Sequence, residues 1–138
     1  MSNTAAWVDT GFLVALFAKD DKHHASAQQY LKQLGRVELH SIWAVIVEAC
    51  FFLDNNGKQA LLCWIERGGL LLHDMELEHL PTIRVNLEKY QNLDPDFTDT
   101  ALVTLAGLLG IKKILTVDTR DFSAYRLPDG SYFERLWI

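Results

Sequence analysis

Two apolar runs in this sequence, Ala6-Trp7-Val8 and Ile114-Leu115-Thr116-Val117, each stop at an Asp-Thr pair, Asp9-Thr10 and Asp118-Thr119. If both runs are strands of one sheet, both aspartates lie on its carboxyl edge, where open α/β sheets hold their ligands. Either aspartate alone could instead N-cap the helix that follows it; the recurrence of the pair favours a shared site. Glu48 is the only charged residue between Ser41 and Leu53, and its helical neighbours at three and four positions are Ala44, Val45, Phe51 and Phe52. An unpartnered carboxylate among such neighbours is costly to ionise. A cation bound against Glu48 accounts for it better than a helix edge that reaches water. Asp96 and Asp99 stand three apart at a helix start, a spacing that suits a cap followed by an acidic third residue. Asp96 is assigned to the cap and Asp99 to the site, because the Asp99 side chain would leave the first turn toward the same end of the sheet.

To bring these acids together the chain must alternate strands with helices, and its apolar periodicity does so. Ala5 to Val8 predicts a strand, Thr10 to Ala18 a helix, and about His24 to Leu34 a second helix ending near Gly35. Val37 to His40 is a short strand, after which Ser41 is expected to cap a long helix over Ile42 to Leu53 that Asn55-Asn56-Gly57 would end. A helix over about Lys58 to Arg67 stops at Gly68-Gly69, Leu70 to His73 reads as a buried strand, and a polar helix covers about Leu77 to Lys89. The helix opened by Asp96 runs to about Leu109 and closes at Gly110, and Lys113 to Val117 is a strand. Beyond the turn Pro128-Asp129-Gly130-Ser131, a last strand lies around Tyr132 to Trp137. This alternation predicts an α/β fold with a parallel sheet between layers of helices.

Composition narrows the chemistry. The 138 residues are 49% hydrophobic and 22% charged with 3 Pro, which suits one globular domain over residues 1–138 and excludes a disordered or collagen-like chain. A domain of this length forms a core without a structural metal, so any metal would serve chemistry. The 13 Lys and Arg against 18 Asp and Glu leave a net charge of -5. That argues against a binder relying on clustered cations to meet phosphates, and not against a nuclease that meets phosphate through a metal ion. Cys50 and Cys63 lie in apolar stretches without CxxC spacing and read as core thiols of a reduced, cytoplasmic chain. The apolar run Gly11 to Ala18 is too short to span a bilayer, and no Lys or Arg precedes Asp9, so neither a membrane span nor a signal peptide is expected.

The blocks around the acids resemble, over nearly the whole chain, a PIN domain, and within that superfamily the VapC-type toxin ribonucleases. Val8-Asp9-Thr10-Gly11-Phe12-Leu13-Val14-Ala15-Leu16 is similar to the family's opening strand and helix. Asp21-Lys22-His23-His24-Ala25-Ser26-Ala27 resembles the Asp and His stretch that commonly follows, and Ser41 through Leu53 the segment carrying the family's invariant Glu. Asp96-Phe97-Thr98-Asp99-Thr100-Ala101-Leu102 resembles its third acidic block, and Leu115-Thr116-Val117-Asp118-Thr119-Arg120-Asp121-Phe122 its fourth. Thr100 departs from the family's usual Ala, a change between small residues. Carried over position by position, the resemblance implies that Asp9, Glu48, Asp99 and Asp118 are the metal-binding, catalytic acids. It further implies a three-layer sandwich around a five-stranded parallel sheet, RNA cleavage dependent on Mg²⁺ or Mn²⁺, frequent homodimers and, for toxins, a cognate antitoxin protein.

Four carboxylates suit that chemistry. Phosphodiester hydrolysis needs a nucleophilic water, neutralisation of charge on the phosphate and stabilisation of the leaving oxygen, all of which one or two Mg²⁺ ions can supply. Mg²⁺ prefers hard oxygen ligands, and zinc is disfavoured because no His stands among the acids. His23, His24, His40, His73 and His79 show no ligand spacing and read as surface or local hydrogen-bonding residues. On this reading Asp9, Asp99 and Asp118 hold the principal metal, while Glu48 orients or deprotonates the attacking water or binds a second ion. Thr10 and Thr116 are supporting hydroxyls, or simply local hydrogen-bond partners, and Arg120 is a candidate phosphate contact or a solvated loop residue.

Two phosphoryl-accepting rivals fail on spacing. A haloacid-dehalogenase-like phosphatase would want a second Asp where Gly11 stands, and a response-regulator receiver a Lys just after a late strand, where Thr119-Arg120 follow Asp118. The non-enzymatic alternative is a PIN scaffold kept as a protein-interaction module, ranked lower because none of the four acids is replaced.

Overall fold

A computed structural model describes residues 4–138. Ala6, Trp7 and Val8 are wholly buried on β1 (Thr4–Val8), as expected of a strand covered on both faces by helices. β1 is the centre of a five-stranded, all-parallel sheet of order β3-β2-β1-β4-β5, with β2 at Val37–Ile42, β3 at Leu71–His73, β4 at Lys113–Leu115 and β5 at Glu134–Arg135. Seven α-helices connect the strands among the described residues. α1 (Thr10–Phe17) and α2 (His24–Gln33) lead from β1 to β2, and α3 (Trp43–Phe51) and α4 (Asn55–Glu66) lead on to β3. α5 (Leu80–Lys89) and α6 (Phe97–Leu109) return the chain to β4, and α7 (Thr119–Ala124) precedes β5. This is the expected α/β sandwich.

The order of strands decides where a ligand can bind. From β1 the chain moves outward to β2, whereas from β4 it moves to β5 on the opposite side. The connections therefore diverge between β1 and β4, and a crevice opens beyond the carboxyl ends of those two strands. Asp9 follows β1 directly, and Asp118 follows β4 by three residues. Trp7 fills the core beneath this edge, and its indole N–H donates to the Ile111 carbonyl at 3.0 Å, so the buried ring leaves no polar atom unpaired.

Several boundaries differ from expectation. Ser41 does not cap a helix: it lies in β2, fully buried, and its hydroxyl donates to the Val8 carbonyl at 2.8 Å. Asn55, Asn56 and Gly57 do not end α3; they form the first turn of α4, because Asp54 accepts the Gly57 N–H at 2.8 Å and caps that helix. A Cβ on Gly57 would meet the Phe17 carbonyl and Leu53 at 3.0–3.3 Å, so glycine there permits close packing rather than a stop. The polar stretch from Leu77 begins as a 3-10 turn to His79 before α5 starts. β4 ends at Leu115 rather than Val117, and the last strand is only Glu134–Arg135. Cys50 and Cys63 are free, half-buried thiols. Four histidine rings form local bonds: His40 Nδ1 lies 2.8 Å from His73 Nε2, His24 Nδ1 is 2.8 Å from the Ala15 carbonyl, and His79 Nδ1 accepts the Glu76 N–H at 2.9 Å. No described helix is long and apolar enough to cross a membrane.

Candidate active site

Asp9 occupies the residue before α1 in an extended conformation, but its side chain makes no capping bond. Instead Oδ2 accepts the Thr116 hydroxyl at 2.9 Å, and the residue is 6% exposed. Burial pushes its carboxyl up to about 6, with the Thr10 amide and Thr116 pulling the other way and Asp118 and Glu48 adding to the rise. The same Thr116 oxygen accepts the Asp118 backbone N–H at 2.9 Å. One hydroxyl thus joins the ends of β1 and β4.

Asp118 does cap a helix. Its Oδ1 accepts the Asp121 N–H at 3.1 Å at the start of α7. Asp96 does the same for α6, accepting the Asp99 N–H at 2.8 Å. Each cap leaves the second acid of an Asp-x-x-Asp pair in the first turn, near the positive end of the helix dipole. Asp99 is half-buried beside the Tyr125 hydroxyl, which donates to its Oδ2 at 3.4 Å. Burial, and after it the negative charges of Asp9, Asp96, Asp118 and Asp121, together push Asp99 up to about 8. Asp118 is raised by burial first and then by Asp121, against the lowering effects of the Asp121 amide and of Arg120.

Glu48 stands on α3, half-buried, with both oxygens engaged. Thr10 donates to Oε1 at 3.0 Å and Thr98 to Oε2 at 2.7 Å. Neutral hydroxyls from α1 and α6 therefore supply the partners that its own helix lacks, and each oxygen keeps a further lone pair for a water or a cation. Since Thr10 adjoins Asp9 and Thr98 adjoins Asp99, Glu48 is held among the other acids.

The structure adds one carboxylate, Asp121, to the acids expected from sequence. Oxygens of Asp99, Asp118 and Asp121 all lie within 4.8 Å of one another. Asp121 could have been found from its spacing, because Asp118-x-x-Asp121 repeats Asp96-x-x-Asp99. Thr98 and Tyr125 were also missed, both being contacts that only the fold creates. Arg120 is exposed and close enough to Asp118 to lower its pKa.

The donor set is entirely hard oxygen, and ligands on opposite sides of a Mg²⁺ ion at about 2.1 Å would stand roughly 4 Å apart, close to the spread of these three acids. Carboxyls held this near one another resist joint ionisation unless a cation is present, so the residues fit a Mg²⁺- or Mn²⁺-type ion.

The family model described as PIN domain matches residues 6–127, from within β1 to beyond α7. The chain belongs to the PIN domain family. All five acids of this PIN domain's edge, Asp9, Glu48, Asp99, Asp118 and Asp121, fall inside the matched span. No curated protein matches the sequence significantly. Among solved structures, this PIN domain is similar to the crystal structure of VapC20 from Mycobacterium tuberculosis, described as a sarcin-ricin loop cleaving toxin. The two superpose with a TM-score of 0.73 at 17% identity, over 86% of this chain and 94% of that one. At that identity the likeness is one of fold.

Proposed function

We propose that this PIN domain is a metal-dependent endoribonuclease that hydrolyses RNA phosphodiester bonds, and that it is the toxin of a toxin-antitoxin pair. The observation that carries the reading is the convergence of Asp9, Asp99, Asp118 and Asp121, with Glu48 alongside, at the switch point between β1 and β4. The VapC20 likeness supports the toxin class and RNA as substrate.

On this reading Asp99, Asp118 and Asp121, with Asp9, hold the cation. A bound Mg²⁺ or Mn²⁺ supplies neutralisation of phosphate charge and a more acidic water. Glu48, fixed by Thr10 and Thr98, accepts a proton from the water that adds to phosphorus. The phosphorus-oxygen bond to the leaving ribose breaks, and that oxygen takes up a proton from solvent water, while Glu48 returns to solvent the proton it accepted. Thr116 keeps Asp9 and the start of α7 in register, and Arg120 meets a phosphate of the bound strand. Asp96 caps α6 and adds its negative charge beside Asp99 without holding the cation.

The reading takes residues 1–138 as one domain, supported among the described residues by a hydrophobic cluster that runs from Ala6 to Phe133. It includes an antitoxin protein and a second copy of the chain as partners, supported by Trp43, Val47 and Phe51, which recur every fourth residue on α3 and are all exposed. It places the protein in the cytoplasm, a reducing compartment suited to two free thiols. The test is incubation with end-labelled structured RNAs in Mn²⁺, Mg²⁺ or chelator, beside Asp9→Asn. Discrete cleavage in metal that is lost with chelator and in the variant is expected. Cleavage that persists in chelator, or none of any RNA by the wild type, would overturn it.

A further inference from the structure

Beside the acids lies a groove of about 520 Å³. Thr10 belongs to both, since it lines the groove and its hydroxyl holds Glu48 at 3.0 Å. Val117, between Thr116 and Asp118 in the chain, forms another part of the wall, and Phe52 faces it from beyond the end of α3. Phe52 is 68% exposed and Val117 is 41% exposed, so both offer apolar surface that the core does not use. A Cβ on Gly11 would collide with Val117 Cγ2; glycine at this position lets the valine seat against the first turn of α1.

The rim is built as deliberately as the wall. The His23 ring stands edge-on to Trp137 at 5.6 Å, and Trp137 is fixed in turn by Phe12 at 4.9 Å and by an indole N–H donated to Ser26 at 3.0 Å. Asp21, the acid of this lining, accepts the His23 N–H at 2.8 Å. Lys22 is exposed and makes no ion pair among the described residues.

Resting on the ribonuclease reading, we propose that this groove is the subsite for the nucleobase next to the scissile phosphate, with Phe52 as its stacking face and Lys22 as the contact to the adjoining phosphate. A chain of net charge -5 does not hold RNA by clustered cations. Stacking on an exposed aromatic ring supplies the missing attraction, and single-stranded RNA is bound in this way because every base has a flat π-face. A near-neutral, apolar groove with one free cation suits a base flanked by one phosphate. The shared Thr10 puts that base within one nucleotide of Glu48.

The test has two arms. In the first, ¹⁵N-labelled protein in chelator is titrated with adenosine, guanosine, cytidine and uridine, following the amides of Gly11, Lys22, His23, Phe52 and Val117. At least one nucleoside is expected to shift these signals, with Phe52→Ala weakening its binding about tenfold and Phe52→Tyr restoring it. In the second, Phe52→Ala is expected to raise KM for a cleaved RNA about tenfold with kcat little changed, and Phe52→Tyr to recover it. Groove amides unmoved by all four nucleosides overturn the subsite. So does an unchanged KM in Phe52→Ala while the wild type cleaves RNA, an outcome that leaves the ribonuclease reading intact. If the wild type cleaves no RNA while nucleosides still shift the groove, the ribonuclease reading fails and the base-binding groove stands.

Discussion

The Thr98 hydroxyl donates to Glu48 Oε2 at 2.7 Å, tying α6 to α3 across fifty residues of sequence. Thr98 is buried, so removing its hydroxyl leaves that carboxylate oxygen without its donor. Thr98→Val keeps the side-chain volume and should lower kcat for RNA cleavage between about tenfold and a hundredfold with little change in KM. Thr98→Ser should retain most of the activity. Steady-state cleavage kinetics on the three proteins check this.

The two Asp-x-x-Asp pairs separate capping from cation binding. Asp96→Asn should keep substantial activity and Mn²⁺ affinity, because Asn caps a helix nearly as well as Asp. Asp9→Asn, Glu48→Gln, Asp99→Asn and Asp118→Asn should each abolish cleavage while leaving the fold intact. Asp121→Asn should weaken Mn²⁺ binding by more than about tenfold, since it removes one charge from the cluster. Calorimetric Mn²⁺ titrations with circular dichroism controls decide each case.

Crowded acids should make the metal-free protein sensitive to pH in a stated direction. Asp99 is pushed up to about 8 and Asp9 to about 6 in the folded protein, from 3.8. Between those values the unfolded chain has already released the protons that the folded protein still holds. Stability in chelator should therefore be greatest near pH 4 and fall as pH rises toward 8. Asp99→Asn should flatten the upper part of that fall. Excess Mn²⁺ should reverse it, by about 2.7 kcal/mol when free metal is a hundred times its Kd. Urea unfolding at pH 5, 6.5 and 8, with and without metal, measures all three effects.

Gly11 couples the two strand ends sterically. Gly11→Ala should destabilise the protein by about 1–3 kcal/mol, because the added methyl group meets Val117. Val117→Ala should make the same substitution much milder, giving a non-additive double-mutant cycle. Additive effects would mean that the collision is relieved elsewhere.

Local patterns carried the strands, most helices and four of the acids. Asp9 and Asp118 were visible because a charged residue ending a buried run is a signal within a few positions. Glu48 was visible for the opposite reason, as a charge with no polar face on its helix, although its hydroxyl partners on α1 and α6 were not. Ser41 bonds the neighbouring strand instead of capping α3, and a hydroxyl before a helix looks the same in sequence in either role. Asp121 does not stand out in sequence, since an acid in a first helical turn is ordinary until Asp99 is folded against it. Tyr125 meets Asp99 across 26 residues and Thr116 meets Asp9 across 107, distances that no periodicity spans.

That last separation has a consequence in time. Thr116 follows Asp9 by 107 positions; at roughly 5–20 residues per second the two leave the ribosome about 5–20 s apart. β1 can pair with β2 in the interval, but β4, Asp118 and α7 do not yet exist to meet it. Long-range parallel pairing is also slow to form once its strands are available. A growing chain therefore carries Asp9 without the groups that complete its surroundings, and the acidic edge is assembled only once Thr116 and Asp118 have been made and folded against it.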